Sequence, residues 1–316
     1  MYHIVTHDPA FASTLPAYSE AGFLFNEEAQ LRQQDQGNFR LLTAHNPLTR
    51  LADARCALFI DDQLAISPKA APFGSIEFVE TLPDSALNAL IDSLEAEVQR
   101  LNVPTLRLTN YPHAYAVRQA ERLVSLLQRR GYRVADQWLN FHINVSKRPL
   151  AERMHPSERR RLAKCQRSGF IVGHWAHPPV DEVVRFIEQS RQQQGYPLTI
   201  ASDRLKLLLR AFPDQYPVFA VWDADTLASL SVAVRVRHDI LYNFLPADNQ
   251  RYRTYSPAVL LTQGLYHFCQ QQGITLLDLG VCLDAQRAPK PSLMRFKRNL
   301  GAVASWKLVL EKQLSV

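Results

Sequence analysis

Tyr242 and Asn243, in the run Leu241-Tyr-Asn-Phe-Leu-Pro, lead into a polar and aromatic stretch, Asp248-Asn-Gln-Arg-Tyr-Arg-Thr-Tyr-Ser-Pro, that carries Arg251, Arg253 and Tyr255. A phenol in such a place could donate a proton or a hydrogen bond, and an Asn side chain could bind an amide. The plainer alternative is that Tyr242 and Phe244 alternate as packing residues of a strand. Arg251 and Arg253 suit bidentate pairing with a phosphate or carboxylate, or form a solvated pair of charges. Asp278 follows in Leu277-Asp-Leu-Gly280, near the carboxyl end of an expected parallel strand, where ligands of α/β sheets gather. It would orient an acceptor amine there, or cap the next loop. Arg295, Lys297 and Arg298 lie on a short helical stretch whose spacing alone reads as a solvated basic face. Arg160, Lys164 and Arg167 fall at i, i+4 and i+7, opposite Leu162, Cys165 and Gly169. That basic stripe suits phosphate or nucleic acid, or water. No aromatic residue interleaves with it, so base stacking is not indicated.

Other chemistries find little footing. Cys56, Cys165, Cys269 and Cys282 are scattered without a CxxC or Cys/His pair at zinc spacing, and no metal is expected. His174-Trp-Ala-His177 is followed by two prolines and has no carboxylate cluster beside it. No Ser/His/Asp or Cys/His array is recognisable. A direct transfer between bound substrates does not require one, because positioning and polarisation can carry it.

Elements that could hold these residues follow from periodicity. Arg55–Ile60, a turn at Asp61-Asp62 and Gln63–Ser67 read as a hairpin, with Ser75–Val79 as a third strand. Leu87, Leu90, Ile91, Leu94, Val98 and Leu101 mark one face of a helix, with Asp84 or Ser85 as its N-cap. Thr105–Thr109 reads as a strand. A second helix through Ala120, Leu123, Val124 and Leu127 ends at Gly131, and Arg133–Val145 alternates as a strand through Leu139, Phe141, Ile143 and Val145. Residues 1–50 are irregular, with a short helix beginning near Pro9 and a polar segment at Asn26–Gln36. After residue 150 come helices at Ser157–Ser168, Val180–Gln193 and Asp203–Ala211. Strands at Val218–Trp222, Ala228–Arg237 and Ile240–Leu245 follow, then a helix at Pro257–Gln272 ended by Gly273. The chain closes with a strand at Ile274–Leu279, a helix at Ser292–Leu300 and a strand at Ala302–Leu310. This order nearly repeats that of the first half. It predicts a tandem duplication of a mixed α/β domain, one copy in 1–148 and one in 149–316.

Hydrophobic residues make up 47% and charged residues 21%, an ordinary globular composition. Thirty-six Lys and Arg against 30 Asp and Glu give +6, and the pI is near 9.2. The excess suits an anionic ligand or a generic surface. No apolar run approaches the roughly 20 residues of a membrane span, and no signal sequence is evident, so a cytoplasmic protein is expected.

An antiparallel meander followed by strand, helix, strand, helix, strand resembles the GNAT acyltransferase fold. Two copies in one chain resemble the Fem-type peptidoglycan aminoacyltransferases and the related FemAB-like, acetyltransferase 6 proteins. Ser157–Phe170 is similar to the basic helix that opens the family's second copy. Tyr242–Asp278 is similar to its strand, loop, helix and "fDlGG" strand, and Arg295-Phe-Lys-Arg-Asn-Leu-Gly301 to its "F-K…F-G" segment. The chain departs from the family in having one glycine at Gly280 and no coiled-coil arm. Tyr252-Arg-Thr-Tyr-Ser-Pro stands where GNAT proteins carry a glycine-rich phosphate loop. The resemblance implies an acyl or aminoacyl transfer to a small-molecule or peptide amine, with acyl-CoA or aminoacyl-tRNA as donor and tRNA as a partner. It implies that Lys297 stabilises a substrate phosphate or leaving group, with Tyr242 and Asp278 beside it as catalytic groups. Asn243, Arg253, Tyr255 and Arg295 would bind substrate, and Arg160, Lys164 and Arg167 an anion. The alternative is a non-catalytic GNAT-fold module that binds a CoA-like molecule or RNA.

Overall fold

The computed structural model describes residues 2–10, 15–36, 38–195 and 197–315. In chain order the elements are β1 (His3–His7), α1 (Glu28–Asp35), β2 (Phe39–His45), β3 (Ala52–Asp61), β4 (Leu64–Ser67), β5 (Glu77–Phe78), α2 (Asp84–Arg100), β6 (Thr105–Thr109), α3 (Val117–Arg129) and β7 (Arg133–Asn144). They continue as α4 (Pro156–Arg167), β8 (Ile171–Trp175), α5 (Val180–Gln194), α6 (Ser202–Ala211), β9 (Val218–Asp223), β10 (Thr226–Arg237), β11 (Ile240–Asp248), α7 (Pro257–Gln271), β12 (Leu276–Val281), α8 (Pro291–Asn299) and β13 (Val303–Gln313). The fold is mixed α/β.

Two compact units divide the chain: Met1–Trp138 with Ser305–Val316, and Leu139–Ala304. In the first, strands run in the order β1-β2-β3-β4-β6-β13, with β5 on β3. Among the strands of the described residues, β4 and β6 form this unit's parallel pair, joined by the crossover helix α2. In the second, the order is β8-β9-β10-β11-β12 followed by the latter half of β7. Again one pair is parallel, β11 with β12, joined by α7. The two orders match position for position, so the duplication read from the sequence is present in the fold.

The unit boundaries differ from a cut at 148/149, for a reason that lies in strand pairing. Asn144, Ile143 and His142 are register partners of Leu276, Leu277 and Asp278, which places this half of β7 in the second unit. Val309–Gln313 pairs antiparallel with Thr105–Thr109, which places the C-terminal strand in the first. A strand so far along the chain finds the edge whose hydrogen bonds it can satisfy, whatever the order of the sequence.

Each crossover helix buries the stripe its sequence carries. On α2, Leu87, Leu90, Ile91, Leu94 and Val98 are buried against Leu42, Leu58, Leu106 and Leu108, while Leu101 is half-buried. On α7, Leu261, Leu265 and Cys269 meet Leu241, Leu277 and Ile143. Gly131 and Gly273 take φ of +86° and +66° just past α3 and α7, the left-handed turn that ends a helix. The expected cap of α2 differs: Pro83 is the capping residue and Asp84 is already helical. Strands β1, β2 and β8 appear where no strand was read, and the expected Ser75–Val79 strand shrinks to Glu77–Phe78. The helix expected near Pro9 falls largely on residues 11–14, outside those described.

Candidate functional site

The parallel pair β11–β12 holds register only over Ile240–Tyr242 against Leu276–Asp278. Beyond that, β11 runs on to Asp248 beside β10, and β12 runs on to Val281 beside β7. The strands part directly after Tyr242 and Asp278, leaving facing backbone edges outside any ladder between them. Local chemistry enforces the opening. The β12–β7 register slips between Asp278 and Gly280, and Gly280 adopts φ +75°. Asp278 Oδ1 accepts from the Gly280 amide at 2.7 Å and from Asn140 Nδ2 at 2.7 Å. Asp278 therefore caps the kink that turns β12 away, one of the two roles open to it from sequence.

Tyr242 and Asp278 are register partners on adjacent strands, and so are Asp278 and His142. Partners in register project to the same face. Tyr242, Asp278 and His142 thus form a row across three strands, opposite the face on which Leu241, Leu277 and Ile143 pack against α7. Gly280 completes the contact: a β-carbon there would lie 3.0 Å from Tyr242 Cε2 and 3.2 Å from its hydroxyl. Burial and the neighbouring Asp278 charge both raise the Tyr242 pKa, so the phenol stays protonated and is a donor rather than a base. Burial lowers the pKa of His142, with Asp278 opposing.

Lys297 is buried, and its three ammonium protons meet the carbonyls of Leu279 (2.5 Å), Gly280 (2.9 Å) and Val281 (2.9 Å). Burial lowers its pKa, while Cys282 and Asp278 push the other way. The ammonium is committed to the end of β12, which gives it the geometry of a clasp on the kinked strand. That contrasts with a solvated basic face, and with a cation reaching a substrate.

A second group forms around α4 and the loop before α7. Lys164 Nζ donates to the Thr254 carbonyl at 2.9 Å and sits 4.7 Å from the Tyr255 ring centre. Cys165 Sγ donates to the Tyr255 carbonyl at 3.0 Å, and Phe170 meets the rings of Tyr252 and Tyr255. The buried seam of α4 fastens the loop, and Arg251 and Arg253 stand exposed on it, as do Arg160 and Arg167 on the helix. None of these four arginines has an ion-pair partner among the described residues.

Two expected residues stand elsewhere. Asn243 accepts a hydrogen bond from Ser231 Oγ at 2.5 Å, on the other side of β11 from Tyr242 by strand alternation. Arg295 is exposed on α8. His142 and Asn140 were missed. The signal was there: Leu139, Phe141, Ile143 and Val145 alternate, so Asn140 and His142 had to share the opposite face. The residues they would meet could not be read.

Among the described residues, the first unit has no matching gap. Where β4 and β6 would part, beyond Ser67 and Leu108, the chain's own backbone enters. Gly74 N donates to the Thr109 carbonyl at 3.1 Å, Ser75 N to Ser67 Oγ at 2.9 Å, and Ser75 Oγ to Asn110 Oδ1 at 2.7 Å. A cleft of about 450 Å³ lies on the outer side of α7 in the second unit, lined by His174, Phe219, Gln263, His267, Phe268 and Gln270 among others. It shares no residue with the row at the strand opening.

No group of three or more His, Cys, Asp or Glu could hold a metal ion among the described residues, and no helix there is long and apolar enough to cross a membrane. Residues 156–298 match the family described as acetyltransferase (GNAT) domain, which covers the opening, the α4 helix and Lys297. No curated protein sequence matches the chain. Among solved structures, FemX is similar at TM-score 0.70 and 12% identity, over 93% of this chain and 93% of that one. The C-terminal domain of a putative lysylphosphatidylglycerol synthetase from Agrobacterium fabrum is similar at TM-score 0.59 and 10% identity, over 89% and 86%. A tandem GNAT protein from the clavulanic acid biosynthesis pathway is similar at TM-score 0.50 and 12% identity, over 88% and 83%. The fold is thus like that of FemX and of a tandem GNAT protein, and the stretch that matches the acetyltransferase (GNAT) domain lies within the second unit.

Proposed function

We propose, from that GNAT acetyltransferase domain, that the protein transfers an acyl group from an acyl-CoA to an amine in a single direct step, at the opening between β11 and β12. GNAT domains use acyl-CoA as donor, and an acyltransferase of this general kind is what the fold supports. The observation that carries the reading is the parting of the two strands immediately beyond Tyr242 and Asp278. An acyl carbonyl laid in that gap meets backbone edges outside any ladder between the two strands, which can polarise it without reorganisation. Tyr242, protonated and beside Gly280, would supply a proton to the departing thiolate. Arg251 and Arg253, with Arg160 and Arg167, offer unpaired cations for the donor's phosphates.

A covalent enzyme intermediate is not part of this reading. Cys165, Cys269 and Cys282 are buried, and burial raises each thiol, Cys269 to about 12, so none is an available thiolate. Nothing in the comparisons supports an aminoacyl-tRNA donor. The acceptor class, a small or peptide amine, rests on the resemblance to Fem-type enzymes.

The test is release of free CoA thiol from acetyl-CoA and longer acyl-CoAs with a panel of primary amines, beside calorimetric binding of each donor. Tyr242→Phe should lower turnover by about 10²–10⁴-fold while leaving donor affinity unchanged. Binding of acyl-CoA without turnover on any amine would favour a non-catalytic module, and no binding would remove the donor.

A further inference from the structure

His142 is 7% exposed, and its Nδ1 is enclosed with no hydrogen-bond partner. Buried ring nitrogens are nearly always bonded, and a Leu or Phe at this strand position would avoid the cost of leaving one bare. The ring stands in register with Asp278, which in turn stands in register with Tyr242. Asp278 cannot readily serve as the base itself. Its Oδ1 is taken up by the Gly280 amide and Asn140, and it caps the kink in β12. Of this row, His142 is the group whose ring no hydrogen bond holds: Nδ1 is enclosed and bare, which leaves Nε2 as the nitrogen that exchanges a proton, one strand from the opening.

Resting on the acyl-transfer reading above, we propose that His142 is the base that takes the proton of the acceptor amine, with Asp278 holding the row in register and stabilising the imidazolium that forms. The charged and titratable groups around it are Asp278 on β12, Tyr242 on β11, and Lys297 with Cys282, whose charges reach Asp278 and each other. Burial holds the imidazole below its ordinary pKa of 6.5, against the pull of Asp278, so it is neutral and able to accept at neutral pH. The step balances. The acceptor ammonium gives one proton to His142, and the freed lone pair forms the N–C bond to the thioester carbonyl. The C–S bond then breaks with its electron pair going to sulfur, and Tyr242 protonates that sulfur. The surplus proton on the new amide nitrogen returns through solvent to the tyrosine oxygen, and His142 sheds its proton to solvent.

The experiment compares two acceptors with acetyl-CoA: n-butylamine, which is protonated at neutral pH, and hydroxylamine, which is largely not. In His142→Gln, turnover of n-butylamine should fall by about 10²–10⁴-fold, whereas hydroxylamine should be used within a few-fold of the wild-type rate. For wild type, kcat/KM for n-butylamine should fall as pH drops through the His142 pKa, and this acid limb should vanish in the variant. His142→Asn and thermal midpoints of both variants separate a folding defect from a chemical one, and acetyl-CoA affinity should not change. Equal loss with both amines, or an acid limb that survives in a folded variant, would overturn the assignment. Wild-type protein that uses neither amine while binding acetyl-CoA defeats the acyl-transfer reading itself, and the base with it. That failure is distinguishable because it does not depend on residue 142.

Discussion

Lys297→Met separates two roles that the sequence left together. The ammonium donates to three successive carbonyls at 2.5, 2.9 and 2.9 Å at the kinked end of β12. A buried polar group that loses its partner costs about 1–3 kcal/mol. A carbonyl keeps a second lone pair and suffers at the low end, so three of them come to about 3 kcal/mol. Removing a buried cation returns part of that, since burial already disfavours the charged form, as its lowered pKa records. For a unit of this size about 1 kcal/mol moves Tm by roughly 2–4 °C, so a fall of up to about 6–12 °C is expected. Urea and thermal unfolding should show it, and acetyl-CoA turnover should decline because the opening loses its shape. An unchanged unfolding midpoint together with abolished turnover would refute the reasoning. It would return Lys297 to the substrate-facing role implied by the family resemblance.

Two further outcomes follow from the same geometry. Gly280→Ala places a β-carbon at φ +75° and 3.0 Å from Tyr242 Cε2. It should cost about 1–2 kcal/mol for the left-handed backbone and displace the tyrosine, so kcat should drop further than the calorimetric stability loss explains. Asp278→Asn keeps an oxygen for the Gly280 amide but removes the charge that raises the His142 pKa. The acid limb of the pH profile should therefore move to lower pH with little loss of fold. The sign for stability is consistent with this. A neutral buried imidazole has a folded pKa below its unfolded 6.5, so its contribution is present above 6.5 and is lost as pH falls through the folded value.

How much was legible differs between fold and site. The helix stripes of α2 and α7, the glycines that end α3 and α7, and the repeated strand-helix-strand order are local patterns with a period, and each is present in the structure. Strands β1 and β8 escaped because their burial is irregular, and β2 because it is buried along most of its length and so shows no alternation. β1 reads exposed, half-buried, exposed, exposed, half-buried along its length, which no alternation rule can find. Within the site, Tyr242 and Asp278 were named as candidates from type and position, and they prove to be register partners.

Sequence alone determined that the chain is a duplicated α/β protein, because hydrophobic period and turn residues act within a few residues of one another. It also placed a phenol, a carboxylate and several cations near the second crossover. Tertiary structure decided which of them meet. Asn140 reaches Asp278 across 138 positions of chain, and Lys297 finds its carbonyls 16 to 18 residues back. Whether a lysine faces solvent or clasps a strand depends on burial and on which carbonyls a kink leaves within reach, and no spacing rule encodes that. The same holds for His142, which tertiary structure buries beside a carboxylate on another strand. It holds too for the C-terminal strand, whose pairing edge lies in the first half of the chain.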